Sequence, residues 1–299
     1  MKKHAILFFM SIILLVVLLG VSNKYLESQN LDPQIAGQFS GDRAYSGVQY
    51  QVSLGPRIPG SSAHEKIVTW MQMNLEEFAW SVEIQNTTYK GHPIENVIAR
   101  RGNGIPWIIL GAHYDSRILS DQDPNPALVQ TPVPGANDGA SGVAVLLELA
   151  RTLPQNLGFQ TWLVFFDAED NGDIPGWDWL LGSQAFVSSL TSHPDKVVVI
   201  DMIGDANLNI YKERNSNPDI TTSIWNQASS LGYSSSFINQ YKYSMLDDHT
   251  PFLEKGVKAV DIIDFDYPFW HTTQDTPDKT SAKSLGIVGN TLLNWLEKQ

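Results

Sequence analysis

No cysteine occurs in the 299 residues, which excludes disulfides, thiolate zinc sites, iron–sulfur clusters and cysteine nucleophiles together. Any metal must therefore be held by His, Asp or Glu. Basic residues are also scarce, with 20 Lys and Arg against 32 Asp and Glu and a net charge of −12. A surface this acidic repels phosphate backbones and anionic headgroups, so no nucleic-acid partner is expected. Hydrophobic residues at 42% with 17% charged residues give an ordinary globular balance, which excludes disorder and collagen-like structure. Beyond residue 40 no Pro/Gly/Ser-rich gap, charge block or internal repeat divides the chain. One folded domain over residues 41–299 is the expectation.

The only long apolar run is at the start. Lys2 and Lys3 precede residues 5–21, broken only by Ser11 and Gly20 and followed by Ser22-Asn23-Lys24. A basic flank followed by such a run reads as a signal peptide or N-terminal membrane anchor over residues 1–23. Gly20-Val21-Ser22 is the one small-x-small cleavage candidate. The lysines would stay cytoplasmic, so the expected location is extracytoplasmic: membrane-anchored through residues 5–21, or secreted if the segment is cleaved. Residues 24–40 are polar and aperiodic, a linker.

Within the domain, Ile67, Trp70, Met71, Leu75 and Phe78 recur at helical spacing, whereas 107–110, 162–166, 197–200 and 257–263 are short apolar runs. Runs of that length read as buried parallel strands. Helices are predicted between them: over 140–152, from Asn217-Pro218 to Gly232, and over the terminal stretch of Leu285, Val288, Leu292, Trp295 and Leu296. The alternation implies an α/β fold, a doubly wound, mostly parallel twisted sheet flanked by helices.

The residues with chemical potential follow the strands directly. His113 and Asp115 come after the 107–112 run, Glu169 and Asp170 after 161–166, and Asp201 ends 196–200. Loops at the carboxyl ends of parallel strands are where such folds bind ligands. Asp138 lies in a Gly-rich segment just before the 140–152 helix, and His271 follows the last strand. A catalytic zinc takes three N or O donors and leaves one position open, and Asp138, Asp170 and His271 supply such a set. Glu169, adjacent to Asp170, is then free for proton transfer. Singly, Asp138 fits a helix N-cap, Asp201 a turn and His271 a hydrogen-bonded imidazole; their convergence on one sheet edge sets them apart.

Six segments occur in order: Gly111-Ala-His-Tyr-Asp-Ser116, Gly135-Ala-Asn-Asp-Gly-Ala-Ser-Gly142, Phe166-Asp-Ala-Glu-Asp170, Asp201-Met-Ile-Gly204, Asp247-Asp-His-Thr-Pro-Phe252 and Trp270-His-Thr272. This series resembles the zinc aminopeptidase superfamily, with its zinc-exopeptidase-like fold. Within it, residues 45–299 most resemble the glutaminyl-peptide cyclotransferases of animal type and their bacterial relatives, with Arg57-Ile-Pro-Gly-Ser61 ahead of the core. The resemblance implies one Zn2+ on Asp138, Asp170 and His271, with Glu169 as general acid/base. It also implies a hydrogen-bonded carboxylate pair, Asp201 with Asp247, and Trp270 lining the substrate pocket. The implied activity converts N-terminal glutamine of peptides and proteins to pyroglutamate with release of ammonia. In the aminopeptidase branch, which removes N-terminal residues, His113 and Asp201 hold a second zinc with Asp138 bridging, and those residue types are present too. Asp170 stands where many members have Glu, a departure that retains a carboxylate. A partner-binding ectodomain without activity would have lost ligands, and none is lost.

Other features are weaker. Asp121-Gln-Asp123-Pro-Asn125 fails as a calcium loop because Pro126 takes the Gly position and Pro132 the final Glu. Gly139-Ala-Ser141-Gly-Val143 fails as a serine-hydrolase elbow because it ends in Val. Trp177 and Trp179 fit either a pocket mouth or a cover on the sheet edge. Asp275 and Asp278 are expected to serve the turn and cap of the last helix.

Overall fold

Alternation inside the apolar runs sorts their side chains onto the two faces of one sheet. The computed structural model describes residues 37–299, with a folded unit from Phe39 to Gln299. The expected export segment, residues 1–23, and most of the expected linker lie outside the described residues. Among the described residues no helix is long and apolar enough to cross a membrane.

The sheet contains β1 (Ser81–Tyr89), β2 (His92–Arg101), β3 (Trp107–His113), β4 (Gln160–Phe166), β5 (Lys196–Asp201) and β8 (Ala259–Ile263), in the order β1-β2-β4-β3-β5-β8. The four apolar runs are the parallel part, β4-β3-β5-β8. The β1–β2 hairpin joins β4 antiparallel at one edge. β6 (Ile210–Lys212) and β7 (Phe237–Tyr241) form a separate two-stranded sheet.

Ile108, Leu110 and Ala112 of β3, Leu163 and Phe165 of β4, and Val198 and Ile200 of β5 point to one face. There they meet α1 (Gly41–Ser53), α2 (Ser62–Glu77), α3 (Ala140–Thr152), α5 (Pro218–Ser230) and α7 (Ala282–Leu296). Ile109, Val164, Phe166, Val197 and Val199 point the other way, against Phe186 of α4 (Leu181–Ser189) and Phe252 of α6 (Thr250–Glu254). Each fully buried Val, Leu or Ile contributes roughly 1.5–3 kcal/mol, so covering both faces is what makes continuous apolar strands stable.

Polar caps start the helices where the sequence supplies them. Ser40, Ser61 and Ser281 each accept a backbone N–H three residues on, and Asn217 accepts from Asp219 and Ile220 with Pro218 at the first turn. The predicted helices are thus present. α2 begins at Ser62, earlier than its apolar periodicity, because the Ser61 cap sets its start.

Candidate active site

Parallel register brings the strand ends level: His113 pairs with Phe166 and Asp201 with Ile263. The loops after β3, β4, β5 and β8 therefore leave from one edge, and α3 brings Asp138 to the same place. Two glycines permit that approach. A Cβ on Gly139 would strike the His113 ring, and one on Gly142 would lie 2.6 Å from the Ile200 carbonyl. Arg57, fully buried, fastens the Asp138 loop by donating to the carbonyls of Tyr114 (2.8 Å), Pro134 (3.1 Å) and Gly135 (2.6 Å). Burial pulls its guanidinium down to about 10. Asp275 also holds this loop, accepting from Asn137 N (2.8 Å), Asp138 N (3.2 Å) and the Tyr267 hydroxyl (2.7 Å). That corrects its expected role at the last helix, where Ser281 is the cap; its partners in the loop, Asn137 and Asp138, are too distant in sequence for local spacing to reveal.

Asp138, Asp170 and His271 offer donor atoms that all lie within 4.8 Å of one another, and all three residues are buried. His271 Nε2 is 2.9 Å from Asp170 Oδ1 and 3.9 Å from Asp138 Oδ2. Asp170 Oδ2 is buried without a hydrogen-bond partner. A buried carboxylate oxygen left unpaired is costly, and two carboxylates with one imidazole nitrogen converging on a point make a donor set that fits zinc. His113, Asp138 and Asp201 form a second such group. His113 Nε2 lies 2.9 Å from Asp138 Oδ1 and 3.2 Å from Asp201 Oδ1, while its Nδ1 lies 3.3 Å from Asp115. Asp138 thus presents one oxygen to each group.

Charge crowding governs the protonation states. Burial pushes Glu169 well above the usual carboxylate range, and Asp170, Asp248 and Asp247 add to the rise while His113 opposes it. Asp201 is pushed up to about 7, chiefly by burial, and Asp170 to about 6, by burial and then Asp138. Burial opposes the charged form of His113, but Asp201, Asp115 and Asp138 together hold it well above its ordinary value. Asp115 is a support: it accepts from the backbone N–H groups of Glu169 (3.0 Å) and Asp170 (3.3 Å), fixing the turn that separates their side chains.

The site opens into a pocket of about 240 Å³. Its polar floor is Asp138, Glu169, Asp170, Asp201, Asp247 and His271, and its walls include Trp179, Ile263, Phe265 and Trp270. The Trp270 ring lies on His271 with centroids 3.7 Å apart. No hydrogen bond joins Asp201 to Asp247, although both face the pocket: Asp201 Oδ1 is taken up by His113 and the Met202 N–H, and Asp247 Oδ2 has no partner. The expected carboxylate pair is therefore two neighbours without a direct bond. The two tryptophans divide the two roles open to them, since Trp179 lines the pocket and Trp177 stacks on His92 at 4.0 Å, away from it. Ser141 donates to the Asn137 carbonyl in the first turn of α3, consistent with a helix-start residue.

Comparison with known proteins places these residues in context. The chain is 25% identical to the glutaminyl-peptide cyclotransferase of Boiga irregularis, over 87% of this chain and 81% of that protein. Porphyromonas gingivalis glutaminyl cyclase superposes with a TM-score of 0.82 at 34% identity, covering 88% of this chain and all of that one (100%). A Zn-dependent exopeptidase from Parabacteroides distasonis gives 0.82 at 30% identity over 89% of this chain and 100% of its own. Residues 96–296, including every metal-ligand candidate and Glu169, match the model of peptidase family M28. The chain belongs to peptidase family M28.

Proposed function

We propose that this chain is a zinc-dependent glutaminyl-peptide cyclotransferase, converting N-terminal glutamine of peptides and proteins to pyroglutamate with release of ammonia. The observation that carries the reading is Glu169 beside the Asp138, Asp170 and His271 group, inside a small pocket walled by Trp270. The likeness to glutaminyl cyclases over nearly nine-tenths of the chain supports it.

Asp138, Asp170 and His271 would hold a single zinc ion, which when bound polarises the side-chain amide carbonyl of the substrate glutamine. The chain's own groups do the rest. Trp270, Phe265 and Ile263 pack the aliphatic part of the glutamine and exclude water, while the acidic floor accepts hydrogen bonds from its neutral α-amino group. Glu169 takes a proton from the α-nitrogen as that nitrogen bonds to the side-chain carbonyl carbon. It then returns a proton to the amide nitrogen, which leaves as ammonia. Burial suits Glu169 to this exchange by raising its proton affinity above that of an ordinary carboxylate. His113 does not line the pocket and faces carboxylates through both ring nitrogens, so its part is to balance charge behind Asp138 and Asp201.

Aminopeptidase activity is the second reading, favoured by the way Asp138 turns one oxygen toward each ligand group. Parallel assays on a glutaminyl peptide and on aminoacyl anilides separate the two. Ammonia release with a cyclised peptide is expected, and anilide cleavage without ammonia would overturn the reading. We also propose an extracytoplasmic location through residues 5–21. Recovery of the full chain from the cytosol on cell fractionation would contradict it.

A further inference from the structure

The acidic segment that fails as a calcium loop has another neighbour, the turn that carries His271. Gln122 N donates to the His271 carbonyl at 3.2 Å. Asp123 Oδ2 accepts from Thr273 N at 2.9 Å and from the Thr273 hydroxyl at 2.5 Å. Asp121 Oδ1 lies 3.2 Å from His271 Nδ1. His271 needs such restraint because it is a non-glycine residue at φ 55°, a left-handed conformation that persists only when its surroundings over-determine it.

The His271 ring is 1% exposed, and its Nδ1 has no aligned hydrogen bond. Asp121 is the one carboxylate within ion-pair distance of that nitrogen among the described residues. Asp121 is itself held in place. Arg117 grips it in a two-pronged pair, Nε to Oδ1 and Nη2 to Oδ2, both at 2.8 Å. Arg117 is 1% exposed, donates through Nη1 to the Asp170 carbonyl at 2.8 Å and lies over the Trp179 ring. One guanidinium thus ties together the backbone of one metal-ligand candidate and the carboxylate facing another.

We propose that Asp121, locked by Arg117, is a positioning residue for the metal site. It accepts the Nδ1 proton of His271, which leaves the Nε2 lone pair facing Asp170 and Asp138. A metal-ligating histidine is oriented and made more basic when its second nitrogen donates to a carboxylate. The side chain of Asp121 is 32% exposed, so without the two-pronged grip water would compete for it. The inference rests on the metal-site reading given above.

The test measures zinc affinity by chelator competition on the full chain, for wild type, Asp121→Asn, Asp121→Ala and Asp138→Ala. The Asp121 variants should bind zinc about 10–100-fold more weakly, while the stripped chains still unfold cooperatively in urea, at a lower midpoint because Arg117 loses its partner. In ¹⁵N-histidine spectra of the zinc-loaded wild type, the His271 Nδ1 proton should be protected from exchange, and in Asp121→Ala it should be lost. A purely structural role for Asp121 would not move that signal. If Asp121→Ala fails to fold, Asp121→Asn keeps the volume and removes only the charge, and its zinc affinity decides. Wild-type affinity in an Asp121 variant, with zinc lost from Asp138→Ala, would overturn the positioning role alone. Wild-type affinity in Asp138→Ala would overturn the metal-site reading on which it rests.

Discussion

Glu169 and Asp170 differ by one methylene and one position, yet the Asp115 carboxylate, by accepting both their backbone N–H groups, turns them to different tasks. Asp170 faces His271 at 2.9 Å, while Glu169 faces the pocket with its proton affinity raised by burial and by its acidic neighbours. Replacing Glu169 by Gln keeps the shape and removes the proton carrier. Zinc content should be unchanged and turnover of a glutaminyl peptide should fall about 10²–10⁴-fold. A variant that retains wild-type turnover would remove Glu169 from the mechanism, whatever its position. Glu213 shows the opposite electrostatic case. Burial alone would raise it, but the contact with His249 and the N–H groups of Asn215 and Met245 outweigh burial and lower it to about 2. Because its folded value is depressed, the stability it gives is present above about 4.5, the unfolded value, and is lost as pH falls toward about 2. Glu213→Gln should therefore cost about 1–3 kcal/mol at neutral pH. Urea midpoints of the two proteins should draw together as the pH drops through that window, and a gap that stays constant would contradict the assignment.

At the scale of elements, close approach sets what can be substituted. Gly289 in α7 lies under the Phe39 ring, and a Cβ there would overlap that ring. Gly289→Ala should destabilise by about 1–3 kcal/mol through overpacking, and Phe39→Ala should cost about 3–5 kcal/mol. Since both act on one contact, the double variant should fall short of their sum in urea unfolding; simple additivity would show that Phe39 is not seated there. The same elements show which parts of the fold can be read from sequence. β3, β4, β5 and β8 are legible because burial on both faces makes them continuous apolar runs. The β1–β2 hairpin is not, because a polar edge such as Ser81–Tyr89 owes its register to pairing with β2 and not to its own pattern. The ligand candidates and Glu169 are legible because each ends a strand, lies in the loop that leaves one, or precedes a helix. Asp123 and Asp275 carry no local signal for these roles, since Thr273 is 150 residues from Asp123 and Asn137 is 138 from Asp275, and Asp121, although it pairs locally with Arg117, faces a His271 that lies equally far along the chain. Only the closure of the sheet edge makes them neighbours.

For the molecule as a whole the number of metal ions separates the two chemistries, because intramolecular cyclisation needs no activated water whereas peptide hydrolysis does. Both donor groups are assembled, sharing Asp138, so geometry alone permits either count and substitution must discriminate. Under the cyclotransferase reading the purified chain binds about one zinc, held by Asp138, Asp170 and His271. Asp201→Asn then keeps that zinc but loses cyclisation, because an amide cannot accept and share a proton as a carboxylate can. His113→Ala is the matched control. His113 faces Asp138 and Asp201 from behind the pocket, so its loss spares the single zinc if it only balances charge. In a two-metal site, both variants drop one zinc from a wild type that holds two. Elemental analysis of the three proteins, paired with the peptide and anilide assays, reads both properties at once. Two zincs per chain, one lost in each variant, together with anilide cleavage and no ammonia, would assign the molecule to the hydrolytic branch of its family.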